Sequence, residues 1–291
     1  MAKSSERPPL PEPLPSPVHD NHTHLNFSED EPVWDAAAGE EPPGLAEAVA
    51  ELDAAESVGV AGVVQVGTNV ADSRWAVALA ERDPRVLAAV AIHPNEAPRL
   101  AARGALDDAL AEIDRLAMHP RVRAIGETGL DFFRTEGEGL GPQRASFAAH
   151  IEIAKRHDVT LQIHDRDAHG AILDVLEEVG APERTVLHCF SGDADFARRA
   201  VEAGCMLSFA GTVTFKNAPT LRAALAVTPL DHLLVETDAP FLTPEPVRGR
   251  RNSPYLVPHT LRRIAAELDL DLAELGAQVH ANAIRTYGSW A

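Results

Sequence analysis

The sequence has only two cysteines, Cys189 and Cys205, and no Cys-x-x-Cys pair. We therefore expect two reduced, buried thiols rather than a disulfide, and no zinc ribbon. The sequence also lacks any apolar run near the ~18–20 residues that a membrane-spanning helix needs. Its N-terminus has no apolar core of the kind found in secretion signals. These absences predict a cytoplasmic protein without a membrane segment.

Basic residues are scarce: 26 Lys and Arg stand against 44 Asp and Glu, a formal net charge of −18. Such a chain repels polyanions at long range, which disfavours a protein that grips long stretches of nucleic acid. No Lys or Arg occurs between Arg7 and Arg74, whereas Arg248, Arg250 and Arg251 fall within four residues. The sequence thus predicts a small basic site on an acidic body.

No Gly-x-Gly-x-x-Gly follows any apolar run, which disfavours a dinucleotide-binding fold. Present instead are apolar, β-branched runs that alternate with helical patterns. Continuous runs of this kind are typical of parallel strands covered on both faces. The runs cover residues 18–25, 60–67, 86–92, 122–127, 159–164, 184–190, 205–209 and 232–238. Clear helical patterns cover residues 45–59, 143–158, 170–180 and 271–288. Eight strands with helices between them predict the α/β class, as a single-domain (β/α)₈ TIM barrel.

Two segments fall outside this pattern. Residues 1–17 hold six prolines and no hydrophobic periodicity, so we expect a disordered N-terminal tail. Residues 26–43 are acidic and rich in turn formers, and we interpret them as a loop insertion. The barrel itself is predicted to span residues 18–291.

Polar residues that bind metals follow several of the predicted strands. They are His22, His24, Glu127, His164, His188 and Asp238. In a (β/α)₈ barrel the carboxyl ends of the strands converge on one face, where active sites are built. Six donors exceed what one catalytic ion needs, so we predict two divalent ions that share a carboxylate.

Glu127 is central in strand order and is our predicted bridge. The first ion would take His22, His24, Glu127 and Asp238, and the second Glu127, His164 and His188. Four imidazoles suit Zn²⁺, while Mg²⁺ and Mn²⁺ are often used to cleave phosphodiesters. The sequence leaves these three metals open.

Several motifs together resemble the TatD family of metal-dependent deoxyribonucleases, within the amidohydrolase-like barrels. They are DNHTHL (20–25), AIHPNEA (91–97), GETGLDFFR (126–134), QIHDRDA (162–168), LHCFSG (187–192), LSFAGTVTFKNA (207–218), ETDAPFLTP (236–244) and RGRRNSP (248–254). They are collinear with the family pattern across residues 18–291. The resemblance implies divalent-metal hydrolysis of phosphodiesters at DNA ends, with metal ligands at the same six positions. Asn26, Asn95, Asp165 and Ser253 depart from the family pattern, and they bear on substrate detail.

The expected reaction is attack on phosphorus by a water that two metal ions activate. Asp238 would orient this water and accept its proton, with Glu127 as the other catalytic carboxylate. Candidate substrate contacts are His93, Arg166, Lys216, Arg248 and Arg251. The substrates expected from this reasoning are DNA ends or small phosphate esters.

Two alternatives stay open at this point. The same fold and metal pair would serve to hydrolyse a carbon-centred ester, lactone or amide. A non-catalytic metal-binding scaffold is the other alternative, and the complete set of six donors disfavours it.

Overall fold

A computed structural model of the chain describes residues 7–25 and 42–290. Within these residues eight parallel strands form one sheet, in which each strand pairs with the next along the chain. The strands are β1 Val18–Thr23, β2 Val60–Val66, β3 Val86–Val90, β4 Val122–Asp131, β5 Thr160–Arg166, β6 Thr185–Leu187, β7 Cys205–Phe209 and β8 Leu233–Val235. The predicted (β/α)₈ barrel is confirmed.

Helices connect the strands and cover the outside of the barrel. They are α1 Leu45–Ser57, α2 Val70–Arg82, α3 Ala97–Ala101, α4 Leu106–Leu116, α5 Leu140–His157, α6 His169–Val179, α7 Ala194–Glu202, α8 Pro219–Val227, α9 Val257–Leu268 and α10 Leu272–Tyr287. Short 3₁₀ turns lie at Gly137–Gly139, Gly211–Thr214, Leu230–His232 and Pro254–Leu256. Asp271 caps α10, because its side chain accepts hydrogen bonds from the backbone N–H groups of Ala273 and Glu274.

The apolar core has two parts. The larger packs one face of the strands against the helices, with Phe147, Ile151 and Phe209 among its members. Neighbouring residues of a strand point to opposite sides, so the second cluster, which includes Val64 and Leu87, faces the barrel interior. Ala283, Tyr287 and Trp290 from the C-terminal end of the described chain belong to this second cluster. The C-terminal segment therefore helps to fill the barrel from within.

The barrel closes where the first strand meets the residues that follow the last. Thr23 and Ala239 form a parallel bridge. The backbone N–H of Asp238 donates to the carbonyl of His22 at 2.9 Å, and that of His24 to the carbonyl of Ala239 at 2.8 Å. Three of the residues predicted to bind metal, His22, His24 and Asp238, thus lie in this closing seam.

Residues 7–17 are ordered against the barrel, and the prediction of a disordered tail is wrong for them. Pro8, Pro11 and Leu14 are buried. The Leu14 N–H donates to the carbonyl of Val58 at 3.0 Å, and the Tyr255 hydroxyl donates to the carbonyl of Pro8 at 2.9 Å. Proline has no N–H to satisfy and a fixed φ, so an extended proline-rich segment can lie on a surface without forming a helix or strand.

The predicted 26–43 insertion lies outside the described residues except for its last two. No described helix is both long and apolar enough to cross a membrane.

Candidate active site

The predicted metal-binding side chains meet at the carboxyl end of the barrel. His22 and His24 place their Nε2 atoms 3.1 Å apart. The Asp238 Oδ1 atom lies 3.8 Å from the first of these nitrogens and 3.6 Å from the second. Glu127 Oε2 lies 3.7 Å from each. Ligands around a tetrahedral zinc, with bonds of ~2.0–2.1 Å, are themselves roughly 3.4 Å apart, so this first group fits a divalent ion.

The other oxygen of Glu127 faces a second group of imidazoles. Glu127 Oε1 lies 2.5 Å from Nδ1 of His164 and 2.9 Å from Nε2 of His188. His93 Nε2 is 3.5 Å from the same oxygen. The two shorter distances are hydrogen-bond lengths, so these imidazoles hold the carboxylate directly. Glu127 therefore contacts both groups, one through each oxygen.

Neighbouring acceptors fix the orientation of three of the imidazoles. His22 Nδ1 lies 3.1 Å from the side-chain oxygen of Gln162, and His24 Nδ1 lies 3.0 Å from the carbonyl of Val66. His188 Nδ1 is 3.3 Å from Glu236 Oε1. For His22 and His24, a proton held on Nδ1 leaves the Nε2 lone pair directed at the site.

Burial and neighbouring charged groups shift the pKa values of the carboxylate and the imidazoles in this site. Burial opposes ionisation of Glu127, yet His188 and His93 hold its pKa well below the ordinary value. Burial likewise opposes protonation of His188, but Glu127 and Glu236 raise its pKa well above the ordinary value. Burial and the adjacent His188 lower the pKa of His22. An ionised carboxylate beside a neutral imidazole is the donor set that a divalent cation requires.

This chain is similar to known proteins along most of its length. The family model described as "TatD related DNase" matches residues 19–288. The chain belongs to this family. It is 44% identical over 273 residues to a protein of Mycobacterium tuberculosis named "Uncharacterized metal-dependent hydrolase TatD", covering 92% of this chain and 97% of that one. This TatD-family chain is a metal-dependent hydrolase, as predicted.

Two further relatives add to the comparison. A protein of Musicola paradisiaca named "3'-5' ssDNA/RNA exonuclease TatD" is 37% identical over 248 residues, which is 82% of this chain and 90% of that one. The crystal structure of YJJV, a TatD homologue from Escherichia coli k12, superposes with a TM-score of 0.81 at 25% identity. It covers 94% of this chain and 98% of the other.

The backbone around Glu127 explains the glycines of the GETG motif in this TatD-family chain. A Cβ on Gly126 would lie 2.4 Å from Cβ of Gln162. Gly129 has a φ of +137°, and a Cβ there would lie 2.1 Å from the carbonyl oxygen of His164. Close approach of β4 and β5 therefore requires both glycines. Asp238 itself has a φ of +53°, a strained conformation that is often found at functional sites.

The structure brings only some of the predicted substrate contacts close to this cluster. His93 lies within it, against Glu127 and with its ring 4.7 Å from that of His164. Arg166 ends β5 and Arg248 lies on the loop after β8, and each guanidinium lies over a phenylalanine ring. Lys216 and Arg251 are exposed on the loops after β7 and β8, outside the cluster.

Sequence reasoning missed several residues that support the site. Gln162 also donates to the carbonyl of Asn21 at 2.6 Å and to the Tyr287 hydroxyl at 2.7 Å. His150 is fully buried, and its Nε2 accepts the N–H of Ile92 at 3.1 Å. A glutamine inside the apolar run that forms β5 was a usable signal, because a buried amide needs partners. Nothing in the sequence indicated that Tyr287, near the C-terminus, would reach it.

Asp131 shapes the turn after β4 and also lies beside His164. Its Oδ1 accepts the backbone N–H groups of Phe133 and Arg134 at 3.0 and 2.8 Å, which makes it a turn residue. Its Oδ2 lies 3.4 Å from His164 Nε2. The turn after β4 is therefore tied to one side of the site.

Proposed function

We propose that this chain binds two divalent metal ions and hydrolyses phosphodiester bonds at the ends of nucleic-acid strands. The observation that supports this most directly is the carboxylate of Glu127, which presents one oxygen to each of two histidine groups. A bridging carboxylate is the usual way in which two catalytic ions share one site. We assign His22, His24, Glu127 and Asp238 to the first ion, and Glu127, His164 and His188 to the second.

The ions, when bound, would lower the pKa of a water molecule and neutralise charge on the phosphate. Residues of the chain would orient the water, accept its proton and hold the imidazoles in position. Asp238 is partly accessible, with 14% of its side chain exposed, so it can orient the attacking water and take its proton. Glu236 and Gln162 hold the imidazoles of His188 and His22 in place.

Basic side chains surround the carboxyl end of the barrel, which we call the mouth. They favour a phosphate substrate over a carbonyl substrate. Arg166, the last residue of β5, and Arg248, on the loop after β8, are both exposed, and a guanidinium there can hydrogen-bond two phosphate oxygens. Lys216 and Arg251 supply further charge from the same face, and His93 is placed to contact the leaving group or phosphate. The relative named as a 3'-5' ssDNA/RNA exonuclease supports an unpaired strand end as substrate.

The test is a direct assay of the purified chain on single-stranded DNA labelled at either its 5′ or its 3′ end. Mg²⁺, Mn²⁺ and Zn²⁺ are supplied separately after treatment with a chelator. We expect stepwise shortening from one end that requires added metal and is lost in Glu127→Gln. A model lactone and a model amide serve as competing substrates. Turnover of either one without any cleavage of DNA would replace this proposal with the carbon-centred alternative.

A further inference from the structure

Two exposed aromatic side chains stand at the mouth of the barrel. Among the described phenylalanines, Phe132 and Phe133 are the exposed ones, with 36% and 62% of their surface accessible to solvent. They follow directly after β4, the strand that carries Glu127. Leaving a phenylalanine this exposed forgoes roughly 1.5–3 kcal/mol of burial, so structural packing alone does not account for Phe133.

The backbone holds Phe133 in a fixed relation to the metal-binding residues. Its N–H donates to Oδ1 of Asp131 at 3.0 Å, and the other oxygen of that carboxylate lies 3.4 Å from His164 Nε2. The N–H of Phe132 donates to the carbonyl of Arg166 at 2.9 Å. The ring is thus carried by a turn that is fastened to both β4 and β5.

A guanidinium already covers part of this ring. The Cζ atom of Arg166 lies 4.2 Å from the ring centroid of Phe133, and most of the phenylalanine side chain still remains in contact with solvent. A matching pair lies on the loops after β7 and β8, where the Cζ atom of Arg248 lies 3.9 Å from the ring centroid of Phe215. The two arginine–phenylalanine pairs flank the loop that carries His188.

We propose that Phe133, backed by Arg166, is a stacking platform for an unpaired base of the strand being cleaved. Aromatic rings beside cationic groups are how proteins hold single strands without reading their sequence. The phenylalanine takes the face of a base, and Arg166 meets a neighbouring phosphate. This inference rests on the proposed function for its substrate class. It adds which side chains would hold the unpaired base, since a base inside a duplex is stacked on both faces and cannot stack on Phe133.

The test measures binding separately from cleavage. A short single strand with a cleavage-resistant phosphorothioate linkage carries 2-aminopurine, whose fluorescence is quenched on stacking, near its end. Metal-loaded protein should quench this fluorescence, and Phe133→Ala should bind roughly 5- to 150-fold more weakly, the range for the loss of one stacked base. Phe133→Trp should restore binding and quenching. Met118→Ala is the matched control, because Met118 is also an exposed apolar residue, at 67%, but follows α4 away from the mouth.

An abasic residue, moved one position at a time along the strand end, locates the contact. At one position the abasic strand should bind wild type and Phe133→Ala equally well. Equal weakening of base-bearing and abasic strands at every position would overturn the platform, as would unchanged binding in Phe133→Ala. A concentration-dependent dimer that Phe133→Ala abolishes, with no change in strand binding, would reassign the patch to self-association. The two proposals fail in different ways: if only the platform is wrong, wild-type protein still shortens labelled strands, whereas if the proposed function is wrong, wild-type protein cleaves none.

Discussion

Gln162 links His22, which we assign to the first ion, to buried residues in the barrel interior. Its side-chain oxygen lies 3.1 Å from His22 Nδ1, while its amide nitrogen donates to Asn21 and Tyr287. Removing a residue that orients a ligand typically weakens metal affinity 10–100-fold. We expect Gln162→Leu to show this loss when Mn²⁺ or Zn²⁺ is titrated calorimetrically into chelator-treated protein. Gln278→Leu, the same change on α10, is the control. Wild-type affinity in Gln162→Leu would contradict the orienting function.

His150 should make the stability of the fold sensitive to acid. Burial lowers its pKa from 6.5 to about 4, so between these values the unfolded chain binds a proton that the folded chain does not. Stability therefore falls as pH drops from 6.5 towards 4, by about 3 kcal/mol for this group alone. Urea unfolding of wild type and His150→Gln at pH 7 and pH 4.5 measures the difference. Equal losses in the two proteins would show that His150 does not contribute.

Among individual residues, the sequence predicted the candidate metal ligands better than the residues that hold them in position. The six predicted metal ligands stand out because imidazoles and carboxylates are costly at the ends of apolar strands. Tyr287 was not predicted, because its contact with Gln162 joins residues that lie far apart in the chain and depends on how α10 packs against the barrel.

The N-terminal segment is the element whose sequence interpretation was wrong, and it allows a matched test. Leu14 is 9% exposed and packs in the main core, whereas Leu10 is 54% exposed. We expect Leu14→Ala to lower the free energy of unfolding by about 2 kcal/mol or more, and Leu10→Ala to change it by less than about 0.5 kcal/mol. Denaturant unfolding of the two variants decides this. If both substitutions leave the free energy of unfolding almost unchanged, the original prediction of a disordered tail would be supported.

The strands were located correctly and β7 has its predicted bounds, but the ends of several other strands differ from the prediction. β4 continues to Asp131, four residues beyond the predicted end, while β6 and β8 stop at Leu187 and Val235. Hydrophobic pattern marks where a strand is buried, whereas its ends depend on hydrogen bonds to neighbouring strands. His188 and Asp238 consequently lie just past their strands, where the backbone is free to turn the side chains into the site.

For the whole molecule, metal binding should stabilise the fold across the closing seam. His22 and His24 lie on one side of that seam and Asp238 on the other. A free ion concentration of 100 times the Kd stabilises the folded state by about 2.7 kcal/mol, which for 291 residues raises Tm by roughly 4 °C. Calorimetry with and without chelator measures the shift. The same metal added to a His22→Ala, His24→Ala double variant should give a much smaller one, and an equal shift would place the stabilising ion elsewhere.

The acidic surface should limit how much of a nucleic acid the protein holds. With a net charge of −18, attraction is confined to the basic groups at the mouth. We expect the logarithm of the binding constant to fall with the logarithm of salt concentration with a slope of about −1 to −3, equivalent to a few phosphate contacts. Binding of single strands measured over a range of KCl concentrations tests this. A slope near −10 would indicate an extended groove.

The closing seam also bears on when a cell can load the enzyme with metal. His22 and His24 are synthesised before the last strand, and Asp238 follows His24 by 214 residues. At ~5–20 residues per second, the two imidazoles wait for roughly ten to forty seconds before their carboxylate partner exists. Any ion taken up in that interval meets an incomplete site that has imidazole ligands and no carboxylate from the seam. We therefore expect correct metallation to follow synthesis of Asp238, and we expect the nascent chain to be open to mismetallation by copper, which binds imidazole more tightly than zinc does.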